Sequence, residues 1–148
     1  FVGSMYKYSG YLSIINDNPD TLVCYVPTQS YVCEYYSRDK YVYKQTASLF
    51  SSSKSYTRFM YGDSYIAHIT TGVKNGRKLI VFKESYGNAL APFLISSFEE
   101  VYIIDMRYFQ LNALDFIEEH EITDVCFAMC SFTVASSTMN YIKTMTEN

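Results

Sequence analysis

The sequence has no tryptophan, two histidines, four cysteines and three prolines, and only 18% of it is charged. Each shortage excludes something. Two histidines and no C-x-x-C pair argue against a zinc centre of the usual Cys/His spacing, so no metal is expected. The net charge of -3 leaves no basic footprint for nucleic acid. No apolar run approaches the roughly 18 residues that span a bilayer, so no transmembrane segment is expected in this chain. There is no N-x-Ser/Thr glycosylation acceptor and no internal repeat. The chain opens on Phe1-Val2-Gly3-Ser4 without a Met, a charged n-region or an apolar h-region. No signal peptide is visible, and the start reads as an artificial boundary or a processed end.

What is present suits one folded domain. The 148 residues are 49% apolar, enough for a real core, and carry sixteen Tyr and ten Phe. Tyrosine buries its ring and keeps its hydroxyl wet, so the excess suits half-exposed strands and polar-ligand surfaces. Cys126 and Cys130 are four apart in one predicted strand. They share a face but cannot bond, and read as buried, reduced core thiols. Cys24 and Cys33 are either a cross-hairpin pair or free thiols.

The chain reads as a single domain over 1–148 with two unlike parts. Residues 1–72 are a Tyr- and Ser-rich peripheral part, irregular with some β structure. Thr21 to Pro27 is a β-branched run closed by proline and predicts a strand after the Asp17-Asn18-Pro19-Asp20 turn. Tyr31 to Tyr36 and Tyr41 to Tyr43 are strands or ordered loop. Ala47 to Ser55 is an exposed connection, and Ser64 to Thr71 alternates like a strand. Residues 73–148 form a βαβαβα core. Leu79-Ile80-Val81-Phe82 is a continuous apolar run, typical of a strand buried on both faces. Asn88 to Phe98 has helical spacing, with Leu90, Phe93, Leu94 and Phe98 inward. Val101 to Asp105 is the next strand. Phe109 to His120 is a helix with Leu111, Leu114 and Ile117 inward and His120 outward. Asp124 to Cys130 is a third strand, and Ser136 or Ser137 caps a last helix carrying Met139, Ile142 and Met145. Strands alternating with helices imply a parallel sheet, so the fold class is α/β.

In an open α/β sheet, ligands bind beyond the carboxyl ends of the strands. The sequence there is Lys83-Glu84-Ser85-Tyr86-Gly87-Asn88. A serine between a buried strand and a helix has its hydroxyl at the sheet edge, and the amides that open the helix can stabilise an oxyanion. Gly87 permits a tight turn and Asn88 caps the helix. This is the geometry of a nucleophile elbow without its G-x-S-x-G pattern. Asp105 ends the neighbouring strand, where it anchors Arg107 or loop amides and can support the site. A capping serine or asparagine with no chemistry would look the same.

The stretch from Lys78 to Leu94, followed by Val101 to Phe109, resembles the DHHW protein family. Its most specific part is the string from Lys83 to Asn88. Phe1 to Gly10 and Asn18-Pro19-Asp20-Thr21 are similar to that family as well. The family is related to SGNH-hydrolase-like alginate O-acetyltransferases, and the resemblance implies an SGNH-like, flavodoxin-like three-layer domain. It implies Ser85 as nucleophile, Gly87 and Asn88 at the oxyanion turn, Glu84 and Asp105 in support, no cofactor, a polysaccharide partner, and an extracellular or cell-envelope location. Two features depart from the family. The Asp-His-His-Trp segment that would supply acid and base is absent; in the family it lies upstream, so the chain is expected to be a truncated part that begins just after it. Glu84 stands where an Asp commonly precedes the serine, a mild change if the carboxylate only orients the turn. A serine without a base is a poor nucleophile, so the chain by itself should be nearly inert.

Other candidates are weaker. His68 sits mid-strand and reads as a satisfied strand histidine, and His120 as a solvated cation near a helix end. Tyr61-Gly62-Asp63-Ser64 resembles a GDS block but precedes a strand rather than a helix. Tyr35, Tyr36, Tyr41 and Tyr43 could stack on sugars, with strand packing as the default. Two functions remain: part of an SGNH-like O-acyltransferase or esterase acting on an envelope glycan, or a non-catalytic surface or binding module with the same fold. A flavodoxin-like ligand domain fits less well, since no phosphate loop follows the first core strand.

Overall fold

The apolar run at 79–82 lies inside a six-stranded sheet with the strand order β2-β1-β3-β5-β4-β6. The strands are β1 (Tyr31–Ser37), β2 (Tyr43–Thr46), β3 (Tyr65–Thr71), β4 (Lys78–Lys83), β5 (Glu100–Asp105) and β6 (Asp124–Ala128). The structure is a computed structural model that describes residues 2–3, 5–135 and 140–147. The last-helix caps expected at Ser136 or Ser137, and Met139 with them, lie outside the described residues.

β4 pairs in parallel with β5 on one side and with β6 on the other, as the uninterrupted apolar runs predict. β3 joins β5 antiparallel, and β1 and β2 continue the sheet antiparallel. The first 72 residues therefore contribute three strands to the same sheet.

Each face of the sheet is covered, which gives three layers. Two short helices, α1 (Met5–Tyr8) and α2 (Ser13–Asp17), precede the sheet. One face of the sheet buries Leu79, Val81, Val101 and Ile103 beneath α3 (Ala91–Leu94) and the segment around Leu49 and Met60. The other buries Ile80, Phe82, Tyr102 and Ile104 beneath α4 (Ala113–Glu119) and the Met145 side of a final helix (Asn140–Glu147). Successive residues of β4 supply alternate faces, which is why its sequence has no polar alternation.

Several elements differ from expectation. Thr21 to Pro27 forms no strand, and Val23, Tyr25 and Val26 are exposed. A β-branched run becomes a strand only where a partner edge is free; here the segment runs past α3, with Tyr25 against Phe93 at 5.9 Å. The helix expected over 88–98 splits into a 3-10 turn, Ser85–Ala89, and the four residues of α3, with Phe93 facing solvent. α4 starts later than expected because the Asn112 side chain caps it, accepting from the amides of Leu114 and Asp115. Its buried face is Ala113 and Phe116, while Leu114 is exposed. Within the 47–55 connection Leu49 is fully buried. Cys126 and Cys130 are half-buried rather than core thiols, and all four cysteines are free.

Candidate active site

Because β4 and β5 run in parallel, their last residues, Lys83 and Asp105, lie side by side. Because β3 runs against β5, the turn that opens β3 arrives at the same edge and brings Asp63 with it. The Lys83 ammonium donates to Asp63 Oδ1 and to Asp105 Oδ2, each at 3.1 Å. Arg107 closes the cluster from outside. It donates to Asp63 Oδ2 at 2.8 Å and to Asp105 through Nε at 2.9 Å and through its terminal nitrogen at 2.6 Å. Two cations thus face two carboxylates, and the side chains of Lys83 and Asp105 are fully buried. Burial pushes the Asp63 carboxyl up, but Lys83, Asn88 and Arg107 outweigh it and hold it below its ordinary value. The hydrogen bonds from Arg107 to Asp105 outweigh desolvation and hold the guanidinium charged.

The turn that delivers Asp63 is strained. Met60, Tyr61 and Gly62 are consecutive left-handed residues, with φ of 52°, 60° and 71°. Only the glycine adopts that region at little cost. Packing holds the other two: Met60 is buried and its amide donates to the Leu49 carbonyl at 2.8 Å.

Ser85 follows β4 and opens the 3-10 turn at the carboxyl edge of the sheet, half-buried rather than in the core. Its hydroxyl donates to Glu84 Oε2 at 3.2 Å. The same oxygen accepts from the Tyr86 amide at 3.2 Å, and Glu84 Oε1 accepts from the Cys130 amide at 3.3 Å. Glu84 is therefore the N-cap of the turn and a tie between the exits of β4 and β6. Tyr56 braces the turn from outside, its hydroxyl donating to the Tyr86 carbonyl at 2.8 Å.

Two roles assigned from sequence change. Gly87 is not left-handed. It is small because a β-carbon there would lie 2.4 Å from Lys83 Cβ. Asn88 caps no helix. It lies inside the 3-10 turn, buried, with Nδ2 donating to Asp63 Oδ1 at 2.8 Å. Its Oδ1 is buried and has no hydrogen-bond partner among the described residues. Asp105 does anchor Arg107 and its amide, as expected.

A notch of about 290 Å³ lies beside the turn, between Glu84, Tyr86 and Gly87 on one side and Ala128, Met129 and Cys130 on the other. A wider cleft of about 900 Å³ opens over the far side of Arg107, with Arg38, Lys44, Tyr65 and Tyr108 in its walls. The Arg38 guanidinium lies 3.9 Å from the Tyr108 ring centre.

Neither histidine serves Ser85. His68 pairs with Tyr102 in the sheet and stacks on its ring at 4.2 Å. Its Nε2 lies 2.9 Å from Glu100 Oε2, at the amino end of β5. His120 is half-buried rather than freely solvated: it packs against Phe116 at 4.1 Å, and burial lowers its pKa. Of the tyrosines considered for sugar stacking, Tyr43 on β2 is exposed and the others pack against the protein. Tyr35 is fully buried, and Tyr36 stacks on Tyr41 at 4.1 Å.

Asp63, Lys83 and Arg107 were not assigned to the site from sequence. A lysine ending an apolar strand opposite an aspartate ending the next is a readable signal once the two strands are known to be parallel. Asp63 lay in the GDS-like block, which the structure shows acting through its carboxylate as a salt-bridge partner.

The model of the DHHW protein family matches residues 1–104. Among solved structures, a DHHW family protein from Eubacterium siraeum superposes with a TM-score of 0.92 at 45% identity, covering 97% of this chain and 49% of that one. Bacillus cereus PatB1, solved with a sulfonyl adduct, gives 0.66 at 18% identity over 80% of this chain and 44% of that one. A second PatB1 structure gives 0.59 at 19% identity over 74% and 38%. The chain thus spans about half the length of the Eubacterium relative. No curated protein matches it.

Proposed function

The chain belongs to the DHHW protein family, and from that premise we propose that it is the nucleophile-bearing part of a serine-dependent O-acyltransferase or esterase. Its fold is the SGNH-like three-layer α/β type shared with PatB1. The acceptor is a polysaccharide of the cell envelope or of the extracellular space. Ser85 is the nucleophile, and the oxyanion is received at the turn through Gly87 and Asn88; the Gly87 amide, which donates to the Glu84 carbonyl at 3.0 Å, leaves that bond to do so. Glu84 and the Lys83–Asp63–Asp105–Arg107 cluster fix the turn. The observation that carries the reading is the position of Ser85 at the carboxyl edge of a buried parallel strand, half-exposed, with a buried carboxylate orienting its hydroxyl. Sulfonyl reagents capture activated nucleophiles, and a protein of the same fold is known with a sulfonyl adduct.

Glu84 is a positioning group here: its two oxygens are taken up by the Ser85 hydroxyl and the amides of Tyr86 and Cys130. With His68 and His120 held elsewhere, the general base comes from the part of the protein outside these residues. In the full protein a sulfonyl fluoride should label Ser85, read by peptide mass, and Ser85→Ala should abolish both label and ester turnover. A full protein that turns over esters equally well as Ser85→Ala overturns the assignment. The second reading is a non-catalytic surface binding module, favoured by the distance of both histidines from Ser85. A full protein with neither labelling nor turnover, but with retained glycan binding, would establish it.

A further inference from the structure

The two edges of the sheet are built differently. β2, at one edge, is Tyr43-Lys44-Gln45-Thr46, polar and carrying a lysine, and its register with β1 is broken between Tyr35 and Tyr36. Charge and irregularity of this kind keep an edge from pairing further. β6, at the other edge, keeps an unbroken register with β4, and its one charge, Asp124 at its start, is paired with Arg77. It reads Asp124-Val125-Cys126-Phe127-Ala128, and among the described residues it pairs with β4 alone. Val125 is 49% exposed and Phe127 46%, whereas Leu79 to Lys83 on the adjacent strand are buried throughout. Cys126 and Ala128, on the opposite face, are half-buried. The Phe127 ring stacks on Phe82 at 5.5 Å, so the exposed apolar face is continuous with the core. Just beyond the strand, Phe132 is 86% exposed.

This edge is also held ready. At its start the Arg77 guanidinium grips Asp124, and the Lys78 amide donates to Thr123 Oγ1 at 2.9 Å. At its end Glu84 holds the Cys130 amide. A largely apolar, pre-ordered edge strand is a template for another strand. The Eubacterium relative has the same fold over this chain and about as much chain again outside it.

We propose that β6 is an internal strand of the complete protein, and that a further β-strand from outside these 148 residues pairs with it and covers Val125 and Phe127. One end of that strand lies beside the notch, next to Met129 and Cys130. The inference concerns assembly and stands whether or not Ser85 is a nucleophile.

The test is hydrogen exchange on the full-length protein. Bonded amides within 125–128 should exchange about tenfold or more slower than those of 43–46, in the same class as β4. A double variant, Val125→Glu with Phe127→Glu, should lower the melting temperature of the full protein and release that protection. Tyr43→Glu on the opposite edge should change neither. Exchange of β6 as fast as β2 in the wild-type protein overturns the proposal. So does protection that disappears on dilution together with a dimer, since a second copy would then be the occupant.

Discussion

Gly87 lies directly over the side chain of Lys83, so closely that a β-carbon on it would approach Lys83 Cβ to 2.4 Å. The approach couples the serine turn to the ion cluster beneath it. Lys83 has no exposed surface and its ammonium is held by two aspartates, so its stem has nowhere to move. Gly87→Ala should therefore cost about 1–3 kcal/mol, the range for an overpacked core. Gly72→Ala is the control, because a β-carbon there would meet nothing within 4 Å and its φ is not left-handed. Urea unfolding of the two variants checks this; equal midpoints would show that the turn yields freely.

The cluster itself should behave as a buried ion network. Lys83→Met removes a fully buried cation and leaves Asp63 and Asp105 sharing only Arg107. Loss of one partner of a buried pair costs on the order of 3–5 kcal/mol. The exposed Lys74–Glu99 pair, 3.1 Å apart, is the contrast. Lys74→Ala should cost about 0–1 kcal/mol. Thermal melts at low and high salt separate the two, since only the surface pair should respond to screening.

His120 and Asp63 are two of the groups that shape the acid response. Burial lowers the His120 pKa from its ordinary value of about 6.5. A histidine whose folded pKa is depressed favours folding most above the unfolded value, and that contribution is lost as pH falls through the folded one. Asp63, also depressed in the fold, acts in the same sense at lower pH, from about 4 downward. The melting temperature should accordingly fall below about pH 6.5 and fall again below about pH 4. His120→Phe should remove the first decline and leave the second. NMR titration of the His120 ring gives the direction independently; a pKa above the ordinary value contradicts the burial argument.

The central strands were legible because residues buried on both faces leave a continuous apolar run, as at Leu79 to Phe82 and Val101 to Ile104. Ser85 was legible as the residue at the end of such a run. The inward face of α4 was misread through Leu114, because apolar spacing alone did not show that Phe116 and His120 pack together beneath Tyr102 and Tyr41. The strand expected at 21–27 failed because the segment runs past α3, with Tyr25 on Phe93, and pairs with no strand. Asp63 was out of reach for a different reason. It meets Lys83 across 20 residues of sequence, and only the antiparallel course of β3, which the alternation at 64–71 does not specify, brings the two together.

Glu84 offers the sharpest test of how the turn is held. Glutamate in place of aspartate is a mild change only if the carboxylate does no more than orient the turn. The structure gives the longer side chain a second task. Oε2 stays at home with Ser85 and Tyr86, while Oε1 reaches Cys130 at the end of β6. An aspartate can keep the local bonds but is one methylene short of the crossing. Glu84→Asp should therefore leave the Tyr86 amide protected from hydrogen exchange and expose that of Cys130, at a cost of about 1–3 kcal/mol for the abandoned donor. Glu84→Gln keeps the reach and loses an acceptor, because its amide nitrogen must face one of the two N–H groups. It should unprotect Tyr86 or Cys130 but not both. If the aspartate variant exchanges like the wild type at Cys130, the tie between the β4 and β6 exits carries no weight, and the turn is held by Gly87 and Asn88 against Lys83 and Asp63 and by Tyr56 from outside.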